Sequence, residues 1–194
     1  MNTLEIWLIR HGETEWSRSG RHTGSTDVSL TEHGIQQARS LASALAAQTF
    51  DRVFTSPMGR AIATCREAGL GDDASIEPDL HEWNYGDYEG RTTADIRQSV
   101  PDWTVWNAPT PNGETLAQIQ RRANALIDRL LALNAGRIVL FSHGHFLRVL
   151  AGCWMTGQAS MGAHLLLDTA TISVLGYERE SRVLKRWNLS PGSA

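Results

Sequence analysis

The sequence predicts an α/β fold built on a mainly parallel sheet with an antiparallel edge. Two observations set the class. Short apolar runs alternate along the chain with longer amphipathic stretches, the order of strands joined by helical crossovers. The runs at 4–9 and 138–141 are largely apolar, as strands buried inside a sheet are. A third observation sets the edge. The last two strand candidates are separated only by Glu178 to Arg182, too short for a helical crossover, so they pair as an antiparallel hairpin.

Taken in order, Leu4 to Ile9 reads as the first strand, and the Gly/Ser/Thr-rich stretch from Gly12 to Asp27 as a long loop. Thr31 is placed to cap a helix running to about Ala47, with Ile35, Ala38, Leu41, Ala42 and Leu45 on one face. Arg52 to Thr55 is the second strand. Ser56-Pro57 then gives a cap with proline at the first helical position, opening a helix to about Leu70. From Glu77 to Gly113 the texture changes: Pro78, Pro101, Pro109 and Pro111 fall here with Trp83, Tyr85, Tyr88, Trp103 and Trp106. That stretch reads as a cap of loops with one short helix near Thr93–Ser99. Leu116, Ile119, Ala123, Leu126, Ile127 and Leu130 mark a long amphipathic helix. Arg137 to Ser142 is a buried strand, followed by a helix from about His145 to Trp154 and strands at Thr171–Tyr177 and Val183–Trp187. The expected organisation is one domain over 1–194 with a small cap region at about 77–113.

Composition narrows the function. Of 18 basic side chains, Lys185 is the only lysine; 21 Asp and Glu oppose them and leave a net charge of −3. That balance argues against a dedicated nucleic-acid binder. Arginine in place of lysine has two readings, a coding bias on solvated faces or guanidinium forks that grip phosphate. Cys65 and Cys153 lie in apolar helical stretches and read as core. The N-terminus, Met1-Asn2-Thr3-Leu4-Glu5, lacks the basic and apolar regions of a signal peptide, and no apolar run reaches membrane-spanning length. A cytoplasmic protein with no membrane partner is expected.

In open parallel sheets, ligands bind beyond the carboxyl ends of the strands. Three such places carry Arg10-His11-Gly12-Glu13-Thr14, Ser56-Pro57-Met58-Gly59-Arg60 and Ser142-His143-Gly144-His145. A lone histidine in a loop usually means nothing; two histidines and two arginines at one edge read as a phosphate site. The glycines after His11 and His143 allow close approach. Arg60 falls in a first helical turn, whose free N–H groups favour anions. Neither a metal nor a cofactor is expected. Zinc-type ligand spacings are missing apart from the pair His143 and His145, and no phosphate loop or dinucleotide fingerprint occurs.

The segment Leu8-Ile9-Arg10-His11-Gly12-Glu13-Thr14 resembles the signature of the histidine phosphatase superfamily, in its phosphoglycerate-mutase-like branch. The resemblance continues through Thr23-Gly24, Ser56-Pro57 with Arg60, Leu80-His81-Glu82, Tyr85-Gly86, Glu89-Gly90, Gly113-Glu114-Thr115 and Ser142-His143-Gly144, and so spans the chain. It implies a three-layer α/β/α fold, with His11 as the nucleophile that takes the phosphoryl group. Arg10, Arg60 and His143 become the implied clamp and Glu82 the acid/base. Arg10, Ser17, Thr23, Gly24, Arg60, Tyr85, His143 and Gly144 are the expected phosphate and substrate contacts. Beside Trp83, Glu82 is expected to be partly desolvated. Glu13 and Glu114 are expected to order loops, Asp87 and Glu89 are lesser carboxylate candidates, and Arg21 and Arg148 face either pocket or solvent.

Within the family the motifs are most similar to small broad-specificity or acid phosphatases and to sedoheptulose-1,7-bisphosphatase-like enzymes. The expected activity is metal-independent hydrolysis of a small phosphorylated metabolite, sugar phosphates among them. A phosphoglycerate mutase using the same phosphohistidine is the alternative, and a non-catalytic phospho-ligand-binding protein a remote one. Mutases of this type carry a longer cap and a covering tail, whereas only 24 residues separate Tyr88 from Gly113 here, and the residues after Trp187 read as a frayed end. Monomer and homodimer stay equally open.

Overall fold

A computed structural model describes residues 4–193. Met1 to Thr3, on which the reading of the N-terminus partly rests, lie outside it. The six strands are β1 (Glu5–Arg10), β2 (Arg52–Thr55), β3 (Ala74–Ile76), β4 (Arg137–Ser142), β5 (Ile172–Glu178) and β6 (Ser181–Leu189). They form one sheet in the order β3-β2-β4-β1-β5-β6. The first four are parallel; β5 runs antiparallel to β1, and β6 antiparallel to β5. The expected edge hairpin is therefore present. Side chains alternate across the sheet. Ile6, Leu8, Ile138 and Leu140 enter one core cluster, while Trp7, Ile9, Val139 and Phe141 enter the other. Both faces are covered by helices, which makes the three layers.

The helices are α1 (Glu15–Arg18), α2 (Glu32–Ser40), α3 (Ala42–Ala46), α4 (Gly59–Glu67), α5 (Thr93–Arg97), α6 (Leu116–Ala132) and α7 (Gly144–Thr156). Thr31 caps α2 as expected, its hydroxyl accepting the Gly34 N–H. On α6, Ile119, Ala123, Leu126, Ile127 and Leu130 are all buried, and Thr115 and Gln118 close a capping box at its start.

Several expectations need correction. The loop at 12–27 contains α1, too short for an apolar period and held by the Thr14–Ser17 capping box. The helix expected to run to Ala47 breaks at Leu41, whose N–H bonds the Ala38 carbonyl in a tightened turn. Ser56 does not cap α4. The helix begins after Met58, and its Gly59 N–H is accepted by Asp27 Oδ2 at 3.0 Å. Strand β3 went unread because it has three residues at an edge, with Ile76 exposed. The end read as frayed is strand through Leu189, and Asn188 exchanges two side-chain hydrogen bonds with Asp168. No helix among the described residues is long and apolar enough to cross a membrane.

Candidate active site

Register builds the site. Arg10 pairs with Ser142 across β1 and β4, and Thr55 with Phe141 across β2 and β4. The chain leaves all three strands at the same level, so His11, Ser56 and His143 emerge side by side. The His11 N–H continues the ladder onto the Ser142 carbonyl at 2.9 Å, and the two histidine rings lie 5.2 Å apart.

His11 Nδ1 lies 2.7 Å from the Gly12 carbonyl. A carbonyl only accepts, so Nδ1 carries the proton and Nε2 keeps its lone pair. Among the described residues Nε2 has no hydrogen-bond partner, and His11 lines a cavity of about 360 Å³. Burial, then the charges of Arg10 and Arg60, hold its pKa well below the ordinary histidine value. The ring is neutral at neutral pH and oriented with its Nε2 lone pair free.

Arg10 lines the same cavity. Its Nη1 donates to the Leu167 carbonyl at 2.6 Å, while its buried Nε has no partner. Its guanidinium lies against Gly144, where a Cβ would come within 3.2 Å of Nε and Cζ. A Cβ there would be tight against the fork, which would have to give by a few tenths of an ångström.

Arg60 and His143 stand behind His11 and do not line the cavity. His143 Nδ1 accepts from Arg60 Nε at 3.2 Å, so its Nε2 donates to Ser56 Oγ at 2.7 Å. The hydroxyl read as a helix cap thus orients a histidine. The Arg60 fork donates to the carbonyls of Thr23, Gly24 and Thr26 at 2.9–3.1 Å. Of the expected clamp, the structure brings Arg10 to the cavity and uses the Arg60 fork to hold a loop. The charge of Arg60 reaches His11 only through space.

That loop has a second jaw. Glu89 Oε1 accepts the N–H groups of Gly24 and Thr26 at 2.8 and 3.0 Å, while Arg60 holds the carbonyls. Thr23 lines the cavity and Gly24 does not. Sequence ranked Glu89 low because its partner lies 65 residues away. Replacing Glu89 by Ala removes the one oxygen that both amides meet. Glu89→Ala is expected to raise KM by about 10-fold with a smaller loss in kcat. A steady-state comparison that found kcat reduced and KM unchanged would contradict this.

Glu82 is buried, as expected, and lines the cavity. Oε1 accepts the N–H groups of Trp83 and Phe146, and Oε2 that of His145, all at 2.8–3.0 Å. Two of these donors belong to the first turn of α7, which fixes the carboxylate beside Arg10. Arg122, which the sequence did not single out, braces the same segment. Its fork donates to the carbonyls of Asp79 and His81 at 2.7 and 2.8 Å and to the Glu114 carboxylate at 2.8–3.0 Å. Glu114 thus orders a loop, as expected.

Tyr85 is buried, with its hydroxyl 2.6 Å from His145 Nδ1. Burial, then Glu82, holds the phenol pKa well above its ordinary value, so the hydroxyl donates. Burial, then Arg148, keeps His145 well below its own. His22 packs 4.7 Å from the Tyr85 ring, and burial takes its pKa down to about 4. The two histidines of the metal-like pair turn apart, His143 to Ser56 and His145 to Tyr85. Among the described residues, no group of three or more His, Cys, Asp or Glu side chains could hold a metal ion. Ser17 completes the α1 cap and, with Thr23, Gly144, Val105 and Trp106, also lines the cavity.

A parallel sheet with an antiparallel edge, carrying paired histidines and a buried arginine where three strands end, defines an α/β enzyme of the phosphoglycerate-mutase-like kind. The chain belongs to the histidine phosphatase superfamily (branch 1), whose sequence profile matches residues 6–190. An acid phosphatase of Mycobacterium tuberculosis is 42% identical over 182 residues, covering 92% of this chain and 89% of that one. The sedoheptulose 1,7-bisphosphatase of Saccharomyces cerevisiae is 36% identical over 178 residues, covering 76% of this chain and 66% of that one. Among solved structures, an open reading frame of Mycobacterium tuberculosis superposes with a TM-score of 0.91 at 38% identity, covering 96% of this chain and 98% of that one. An alpha-ribazole phosphatase from Shigella flexneri gives 0.83 at 28% identity, covering 95% and 96%.

Proposed function

We propose that the protein hydrolyses small phosphate monoesters, sugar phosphates among them, through a phosphohistidine on His11 and without a divalent metal. The carrying observation is the free Nε2 of a neutral, tautomer-fixed His11 in the cavity that Arg10 and Glu82 also line. Nε2 attacks phosphorus and the ester P–O bond breaks. Glu82 acts as the general acid and delivers a proton to the leaving alkoxide from Oε2, which meets only one backbone donor. Glu82 then takes a proton from water as that water attacks phosphorus and the P–N bond breaks. Phosphate leaves and His11 returns to its neutral form. Arg10 and the start of α7 meet the charge spread over the equatorial oxygens, and Arg60 adds its field from behind.

Hydrolysis is the reading preferred over phosphoryl return to the substrate because only 24 residues separate Tyr88 from Gly113, a short cap whose Val105 and Trp106 line the cavity. The cavity volume suits a small metabolite. The test is a quench experiment with a labelled sugar phosphate in EDTA. We expect an acid-labile, base-stable phosphoprotein and undiminished phosphate release. Activity lost in EDTA and regained with added metal would remove the metal-independent reading; turnover with no labelled protein would remove the phosphohistidine.

A further inference from the structure

Arg148, left undecided by sequence, lines the catalytic cavity together with Arg21. Its Nε donates to the Gly162 carbonyl at 3.0 Å and its Nη2 to the Ala163 carbonyl at 3.3 Å, with the guanidinium lying 4.8 Å over the Trp106 ring. Among the described residues Nη1 has no hydrogen-bond partner. The guanidiniums of Arg60 and Arg122 sit near carboxylates, 3.8 Å from Asp27 and 2.8 Å from Glu114. Among the described residues half-buried Arg148 has none at such a distance, and neither does Arg10, the group placed for the scissile phosphate. Exposed Arg21 makes no ion pair either. Three arginines therefore line a cavity whose one carboxylate is Glu82, while the lining histidines His11, His22 and His145 are held neutral.

Position separates these cations. Gly144 abuts Arg10 at the start of α7, and Arg148 is four residues further along the same helix, about 6 Å along its axis. A helical side chain leans back toward the N-terminus, which carries the Arg148 head over the cavity rather than away from it. The two forks are held from different walls, Arg10 by the Leu167 carbonyl and Arg148 by the carbonyls of Gly162 and Ala163. The Trp106 ring under Arg148 also lines the cavity and offers a surface for the carbon skeleton of a small alcohol.

We propose that Arg148, assisted by Arg21, forms a second anion subsite, and that the preferred substrate carries a further phosphate or carboxylate on the alcohol side of the scissile ester. This rests on the phosphatase reading of the same cavity. An ordered guanidinium with a free N–H edge, stacked on an aromatic ring, is suited to planar recognition of either oxyanion.

The test compares kcat/KM for matched substrates: a ketose monophosphate against its bisphosphate, and glycerol phosphate against phosphoglycerate. The first pair reads a second phosphate and the second a carboxylate. In the unaltered protein the doubly anionic member is expected to win by about 10-fold or more in at least one pair, mainly through KM. That preference should shrink in high salt. Arg148→Met is expected to lower the ratio by about 10-fold, and Arg148→Lys to keep part of it. If Arg148 only braces the turn at Gly162, both members of each pair decline together and the ratio is unchanged, which overturns the subsite. A ratio near one in the unaltered protein overturns it without any variant. No turnover of any substrate, with no labelled phosphoprotein, would overturn the phosphatase reading instead.

Discussion

Replacing His11 by alanine is expected to lower phosphate release by about 10⁴-fold or more and to abolish the labelled phosphoprotein. The imidazole would make the bond to phosphorus, and no neighbour can substitute. The nearest other imidazole, His143, has both ring nitrogens committed, one to Arg60 and one to Ser56. Because the His11 N–H pairs with Ser142 through the backbone, the strand end survives the substitution. Arg10 also keeps its bond to Leu167, so the variant should still bind inorganic phosphate or vanadate. Loss of turnover with retained anion binding is therefore the expected pair of results, read by a phosphate-release assay and by vanadate titration. A variant that binds vanadate and hydrolyses at a rate within tenfold of the parent would remove His11 from the mechanism.

What the sequence disclosed and what it withheld follow the range of the interactions. The bounds of β2 and β4 were readable in full because each is a short run of strand-forming residues closed by turn residues, and the apolar run of β4 is buried on both faces. The face of α6 was readable because its period repeats for four turns. Strand β3 and helix α1 were not, since three and four residues are too few to show a period. In the site, residue types at strand ends located His11 and Arg10, and the family resemblance located Glu82. The aim of each fork was beyond local pattern. Arg60 reaches Thr23, 37 residues away, and Arg122 reaches Asp79, 43 residues away. The same sequence signal, an arginine on a helix, describes a loop brace in Arg60, a buried pair in Arg122 and an unpaired cation in Arg148. Only the fold distinguishes them.

The protein is expected to lose stability steeply as pH falls from about 6.5 toward 5, well before its carboxylates titrate. His11 and His143 are buried, and burial together with the Arg60 charge holds both well below the ordinary histidine value. The unfolded chain takes up protons on these rings near pH 6.5, while the folded chain does not. Protons bound only by the unfolded state favour it, so the stabilisation is complete above pH 6.5 and declines below it. Each such histidine gives a slope approaching ~1.4 kcal/mol per pH unit, so the pair costs about 3 kcal/mol by pH 5.5. For a chain of this size that lowers Tm by about 6–12 °C. His22 and His145, also held low, add to the fall. The carboxylates with lowered values, such as Glu5, act only further down, nearer pH 4. Thermal melts at pH 7.5 and 5.5 provide the measurement, with His11→Ala expected to show a shallower decline because one of the neutral rings is gone. A Tm flat across that interval would mean that these histidines take up protons in the folded state, and a protonated His11 has no lone pair at Nε2 for phosphorus. The same neutrality that the proposed attack by His11 needs at pH 7 thus makes the fold sensitive to acid, through a ring that the sheet edge encloses without giving it a carboxylate partner.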